Sequence, residues 1–152
     1  MSESTNWLLH DHRKHQAALE ACDIAAGVQE WKEATQRFNA FVDELKLHMQ
    51  MEDEVLYPFF KEEAGDPDDE IGDLRYEHEK LAGLLRNLSI VIKHKDFDHF
   101  EECLKPLYEM LVEHNTHEEA VFSRVSGHAL LNRREEILRR LEALHAGAPR
   151  HG

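Results

Sequence analysis

LVEHNTHEEAVF, residues 111–122, and LKLHMQMEDEVLYP, residues 45–58, decide how this chain folds. Each carries a histidine followed four residues later by a glutamate, His48 with Glu52 and His114 with Glu118. Both motifs sit in runs whose apolar residues recur every three or four positions, the period of one helix face. Residues i and i+4 lie about a turn apart on that face, so each pair presents an imidazole and a carboxylate to the same spot.

Two further histidines fall into step with these. His12, in LLHDHRKH (8–15), precedes His48 by 36 residues, and His78, in LRYEHEKL (74–81), precedes His114 by the same interval. An offset of 66 also superimposes Phe38 on Leu104, Phe41 on Leu107, Leu45 on Leu111, Val55 on Val121 and Leu56 on Phe122. A helix pair repeated with matched core positions buries its two ligand sets face to face and puts the four histidines at one level. Four helices that each carry one histidine are what a metal site in a bundle core requires.

Working outward, the chain divides into four long helical segments and a short fifth. Ser4, Thr5 or Asn6 caps a first helix that carries Trp7, Leu8, His12 and Leu19 and ends near Ala26-Gly27. The second runs from about Glu30 to Glu63, with Pro58 expected to kink or locally open it one turn after Glu52. Residues 64–69, AGDPDD, form the clearest loop, and their acidic end suits the cap of a third helix, about Glu70 to His94. A fourth spans about Phe97 to Arg124, and Asn132 opens a basic amphipathic helix to about Leu144 that packs on the bundle end. Short connections imply antiparallel neighbours, hence an all-α, up-down-up-down four-helix bundle with a short additional C-terminal helix, one domain over residues 1–152.

Composition narrows the function. Among 152 residues, 32% are charged and the net charge is −13, which argues against nucleic acid or an anionic membrane surface as a partner and suits a cation binder. Cys22 and Cys103 are too few for a disulfide framework and are not spaced as a CxxC pair, so they are expected to be ordinary thiols. No leader-like start and no apolar run approaching the length of a membrane span are visible, so a cytoplasmic location is expected. No serine or cysteine nucleophile with a positioned base stands out, and no catalytic residue is assigned.

Histidine nitrogen with carboxylate oxygen suits Fe, Mn or Zn, and the absence of thiolate ligands speaks against an iron–sulfur cluster. A lone buried glutamate costs several kcal/mol, so Glu52 and Glu118 within apolar stripes demand a compensating cation. If both carboxylates bridge two ions and an oxo or hydroxo bridge joins them, roughly two of twelve coordination positions stay open for water or a small exogenous ligand. Beyond the six residues of the motifs, His15 is a possible added ligand, although its place about 60° round the helix from His12 puts it at a flank. Asp53 and Glu119 are possible substitutes for the bridging carboxylates. Tyr57, Tyr76 and Tyr108 are candidate core residues or hydrogen-bond donors beside the ligands.

These motifs resemble the hemerythrin-like HHE cation-binding domain, over about residues 5–125. The paired HxxxE elements, the lone histidines on helices one and three, and the following Val55-Leu56-Tyr57-Pro58 carry the resemblance. It implies a four-helix bundle around a non-haem centre of two Fe ions, with His12, His48, Glu52, His78, His114 and Glu118 as ligands. Two departures from the oxygen-carrying members follow. Ala82 stands where they place a second helix-three histidine, and His114 is followed by Glu118 where they carry HxxxxD. The expected function is binding of, or reaction with, a small ligand such as O₂, NO or peroxide at an open iron position. The alternatives are an iron or oxygen sensor acting through a protein partner, or a zinc or manganese bundle with a structural or hydrolytic role.

Overall fold

The computed structural model describes residues 6–66 and 68–124, together with 139, 142 and 143. Among them every regular element is helical: α1 (Asn6–Gly27), α2 (Trp31–Met51), α3 (Tyr57–Ala64), α4 (Glu70–Lys93) and α5 (Phe100–Phe122). A π turn, Glu52–Leu56, welds α2 to α3 into one continuous run, and a 3-10 turn, Phe97–His99, leads into α5. The four expected helical runs are therefore present within a residue or two of their read boundaries. The expected helix over 132–144 and the cap at Ser4 or Thr5 fall wholly or almost wholly outside the described residues. No helix among the described residues is long and apolar enough to cross a membrane.

The helix starts and stops follow local chemistry. Left-handed Gln29 (φ 62°) turns the chain between α1 and α2, and Lys95 (φ 56°) does so between α4 and α5. Before α4 the residue at the cap position, Asp69, is itself left-handed and caps nothing with its side chain. Asp66 takes over, its two carboxylate oxygens accepting from the backbone N–H groups of Glu70 and Ile71 at 2.8 and 3.1 Å. A negative side chain there offsets the positive end of the helix dipole and satisfies two orphan donors. Pro58 has the effect its chemistry dictates. It lacks an N–H to continue the helical ladder, and the helix widens into the π turn immediately before it.

Helix α1 packs on α2 and α5, and α4 packs on α5 and, at fewer places, on α2. Their apolar stripes make two separate clusters. The larger contains Leu19, Phe38, Phe41, Leu45, Leu81, Leu85, Leu88, Leu104, Leu107 and Leu111, and it is closed at its far end by Trp31, which stacks on Phe97 at 4.0 Å. The smaller contains Leu56, Tyr57, Phe59, Phe60, Ile71, Leu74, Val121 and Phe122. Between them lies a layer of buried polar side chains. Cys22 is buried in the larger cluster and the partly buried Cys103 packs against it; both are free thiols, as read, with Cys22 donating to the Ala34 carbonyl at 3.2 Å. Burial pushes the Cys22 thiol up to about 12, which leaves it unreactive at neutral pH.

Candidate metal centre

The polar layer brings all six motif residues together. His12, His48, Glu52, His78, His114 and Glu118 are each at most 7% exposed. They form two groups of four whose ligand atoms lie within 4.8 Å of one another, His12/His48/Glu52/Glu118 and Glu52/His78/His114/Glu118. Both carboxylates are common to both groups. This is the arrangement that the repeat demands: two histidine pairs, one from each helix pair, on either side of two shared glutamates.

The Nε2 atoms face inward. His12 Nε2 is 2.9 Å from Glu118 Oε1, His78 Nε2 is 3.1 Å from Glu52 Oε1, and the His78 and His114 Nε2 atoms approach each other to 3.2 Å. The inward aim is fixed by a second set of carboxylates on the Nδ1 atoms. Asp11 lies 3.5 Å from His48 Nδ1, Asp53 2.9 Å from His78 Nδ1, Glu77 2.7 Å from His114 Nδ1 and Glu119 2.8 Å from His12 Nδ1. Each of these four residues is the chain neighbour of an inner one, and each reaches the histidine of the next helical run. The outer carboxylates thus close a ring: α1 to α2, α2 to α4, α4 to α5 and α5 back to α1. A carboxylate on Nδ1 selects the tautomer that leaves Nε2 free and raises its basicity.

Of the possible substitutes for the bridging carboxylates, Asp53 and Glu119 therefore lie on the outer ring nitrogens. Asp11 and Glu77 were missed in the sequence, although a signal existed. Asp11 and Glu77 are 66 residues apart, as are Asp53 and Glu119, so the internal repeat extends to the outer carboxylates. His15 corrects the expectation of a flank position. It is 4% exposed, with its ring packed edge-on against His48 at 4.9 Å. His10, by contrast, is exposed, and His117 is half-buried on Glu77 at 2.7 Å.

Tyr57 is the other polar group in the layer. Its hydroxyl donates to Glu118 Oε2 at 2.5 Å and lies 3.1 Å from His78 Nε2. The π turn explains how it gets there. Residues five apart, such as Glu52 and Tyr57, point about 140° away from each other on an α-helix. Here the Tyr57 N–H bonds to the Glu52 carbonyl, the i→i+5 closure of a π turn, and the wider turn returns the phenol to the face of Glu52. Burial, and the negative charges of Glu52 and Glu118, push the Tyr57 hydroxyl far above its ordinary range, so it is a neutral donor.

The electrostatics call for positive charge at the centre. Burial and the charge of Glu118 raise Glu52 well above the usual carboxylate range. Burial works to raise Glu118 as well, but hydrogen bonds from Glu52, His114 and His12 outweigh it and hold Glu118 well below that range. Burial opposes protonation of His114, yet its contacts with Glu118 and Glu77 push it up to about 10. His78 moves the same way, burial being overcome by Asp53 and Glu52. Two atoms of the six inner residues still lack a hydrogen bond among the described residues: His48 Nε2 and Glu52 Oε2, 3.3 Å apart. Buried unpaired lone pairs of this kind are costly, and a cation between them removes the cost. The donor set and its charge thus fit a metal.

Comparison with known families agrees with this geometry. A family model described as the hemerythrin HHE cation binding domain matches residues 4–125. The chain belongs to this family. Metal binding by a helical bundle with paired histidine and glutamate clusters is thereby supported both by the HHE match and by the layer itself. Searches of curated proteins and of solved structures find no match to the chain.

Proposed function

We propose that this HHE protein is a single-domain, up-down-up-down four-helix bundle that holds two iron ions and binds or reacts with a small ligand, O₂, NO or peroxide. The observation that carries the reading is the sharing of Glu52 and Glu118 between two histidine pairs. One ion needs one such set, and two overlapping sets of nitrogen and oxygen donors would suit two first-row ions. His12 and His48 would hold one ion, His78 and His114 the other.

Iron, when bound by these six side chains, would supply redox chemistry and Lewis acidity. The chain's own residues do the rest. The ring of Asp11, Asp53, Glu77 and Glu119 orients the imidazoles. Tyr57 holds a proton at its hydroxyl against Glu118. The apolar clusters above and below keep bulk water out of the layer. A cytoplasmic location goes with this reading, since Cys22 and Cys103 stand as free thiols.

The test is metal analysis of the chain loaded with iron under anaerobic conditions, followed by its optical spectrum as O₂ is admitted and removed. Two iron per chain and a ligand-to-metal band that responds to O₂ are expected. Near-zero iron uptake, or zinc retained in its place, would overturn the proposal.

A further inference from the structure

The repeat maps almost every buried residue of the layer onto one of the same kind, and its exceptions are informative. His12, His48, Glu52, Asp11 and Asp53 find His78, His114, Glu118, Glu77 and Glu119 at an offset of 66. Three buried polar residues find none. Tyr57 corresponds to Ser123, His15 corresponds to Leu81, and Asn115 corresponds to Met49. Leu81 and Met49 are both buried in the larger apolar cluster, so the packing at these two levels accepts apolar side chains. The fold gives no reason for an imidazole and an amide there.

His15 and Asn115 share a second property. Each is at least nine-tenths buried, at 4% and 3% exposure, and each has a nitrogen, His15 Nδ1 and Asn115 Nδ2, with no hydrogen-bond partner among the described residues. They also share a level. Contacts between α1 and α5 pair His12 with Glu118 and Glu119, and Glu20 with Tyr108, so rising positions in α1 meet falling positions in α5. The turn of His15 accordingly faces the turn of Asn115, one turn from the inner glutamates and on the side of the larger cluster. Asn115 precedes Glu119 by one turn, which places it on the face of α5 that meets α1. His15 packs on His48 and Asn115 follows His114 in the chain, so the pair lies at the seam of α1 and α5 and borders the His12/His48 half through His15.

We propose that His15 and Asn115 form a polar subsite for a small hydrogen-bonding ligand, of the size and chemistry of peroxide or azide, held at the His12/His48 half of the centre. This inference rests on the dinuclear reading above. Two unpartnered nitrogens at one level, beside the residues that would hold the metal, would be satisfied together by a ligand with lone pairs at both ends. At the repeat-related positions stand Leu81 and Met49, both buried in the larger apolar cluster.

The experiment is titration of the iron-loaded chain with sodium azide, following bound azide by its infrared stretch and iron by metal analysis. The variants are N115M, H15L, H15Q and the N115M/H15L pair. N115M introduces the residue that the repeat already tolerates, so it keeps the test alive if H15L folds badly. Loss of one buried hydrogen bond is expected to weaken azide about tenfold in N115M and in H15L, with a larger loss in the pair, near-wild-type binding in H15Q, and unchanged iron. Azide affinity within twofold of wild type in N115M and in the pair would overturn the subsite. Iron lost from H15L would also overturn it, by making His15 a ligand. A wild-type chain that takes up no iron defeats the dinuclear reading and the subsite with it, and the metal analysis tells that case from the others.

Discussion

The two halves of the polar layer share one plan and differ in what surrounds it. The His12/His48 half has buried His15 packed on His48 and the longest of the outer contacts, Asp11 to His48 at 3.5 Å. The His78/His114 half has the phenol of Tyr57 against it and the shortest outer contacts, with Glu77 holding both His114 and His117 at 2.7 Å. The first half keeps spare polar atoms and one long outer contact, at His48, while the second has both of its histidines closely held, at 2.9 and 2.7 Å. Under the proposed subsite, a ligand from outside would have its place at the first half.

The largest effect comes from removing what the halves share. Glu118→Ala should empty both, taking bound iron from two per chain to near zero. Chelation of the wild-type protein should likewise lower its melting temperature, because a cation at about a thousand times its dissociation constant contributes ~4 kcal/mol. Calorimetry of loaded and stripped protein checks this, and equal melting in the two forms would mean that the layer needs no metal.

Next in size are the outer carboxylates. Glu77→Gln should weaken the second half by ~10–100-fold in metal affinity, and Asp11→Asn should do less to the first, given its longer contact. Competition against a coloured chelator reads both constants, and equal losses would erase the asymmetry. Tyr57→Phe should leave the iron content alone. It removes a charge-assisted hydrogen bond to Glu118, so the stripped protein should lose ~1–3 kcal/mol in urea melts.

The smallest effect concerns a carboxyl pair outside the layer. Glu101 is raised to about 7 by its hydrogen bond with Asp23, by burial and by the charge of Asp23. Here a shared proton does what a cation does for Glu52 and Glu118. The folded chain holds this proton at pH values where the unfolded chain, titrating at 4.5, has released it. Stability from this pair is therefore full at low pH and is lost as pH rises through about 7. Asp23→Asn should flatten that slope between pH 5 and 8 in thermal melts, while the slope in metal affinity stays unchanged.

Most of this architecture was legible in the residues. The three-four apolar spacing located the helices, and the i+4 pairs with their repeat located all six inner residues, because both signals are local or periodic. Pro58 announced the opening before α3 by its missing N–H. What the sequence hid was direction. Whether His15 faced the flank or the interior depended on about 60° of helix rotation, and packing against His48 decided it. Tyr57 reached the centre only through a π turn that no side-chain pattern encodes. The outer carboxylates were visible in principle, since Asp11, Asp53, Glu77 and Glu119 each adjoin an inner residue. Their partners lie on other helices, however, and adjacency along the chain does not say which helix comes next in space.

The closed ring of outer carboxylates has a symmetry of its own. Exchanging α1 and α2 for α4 and α5 carries Asp11 onto Glu77 and Asp53 onto Glu119, and the ring maps onto itself. Two identical copies of a two-helix unit, joined about a twofold axis, would close the same ring with no linker at all. In such a dimer both halves would be equal and neither would be specialised. In this chain the units differ at His15 and Tyr57 in the first and at Asn115 in the second, differences that a single linked chain can carry and an identical pair cannot.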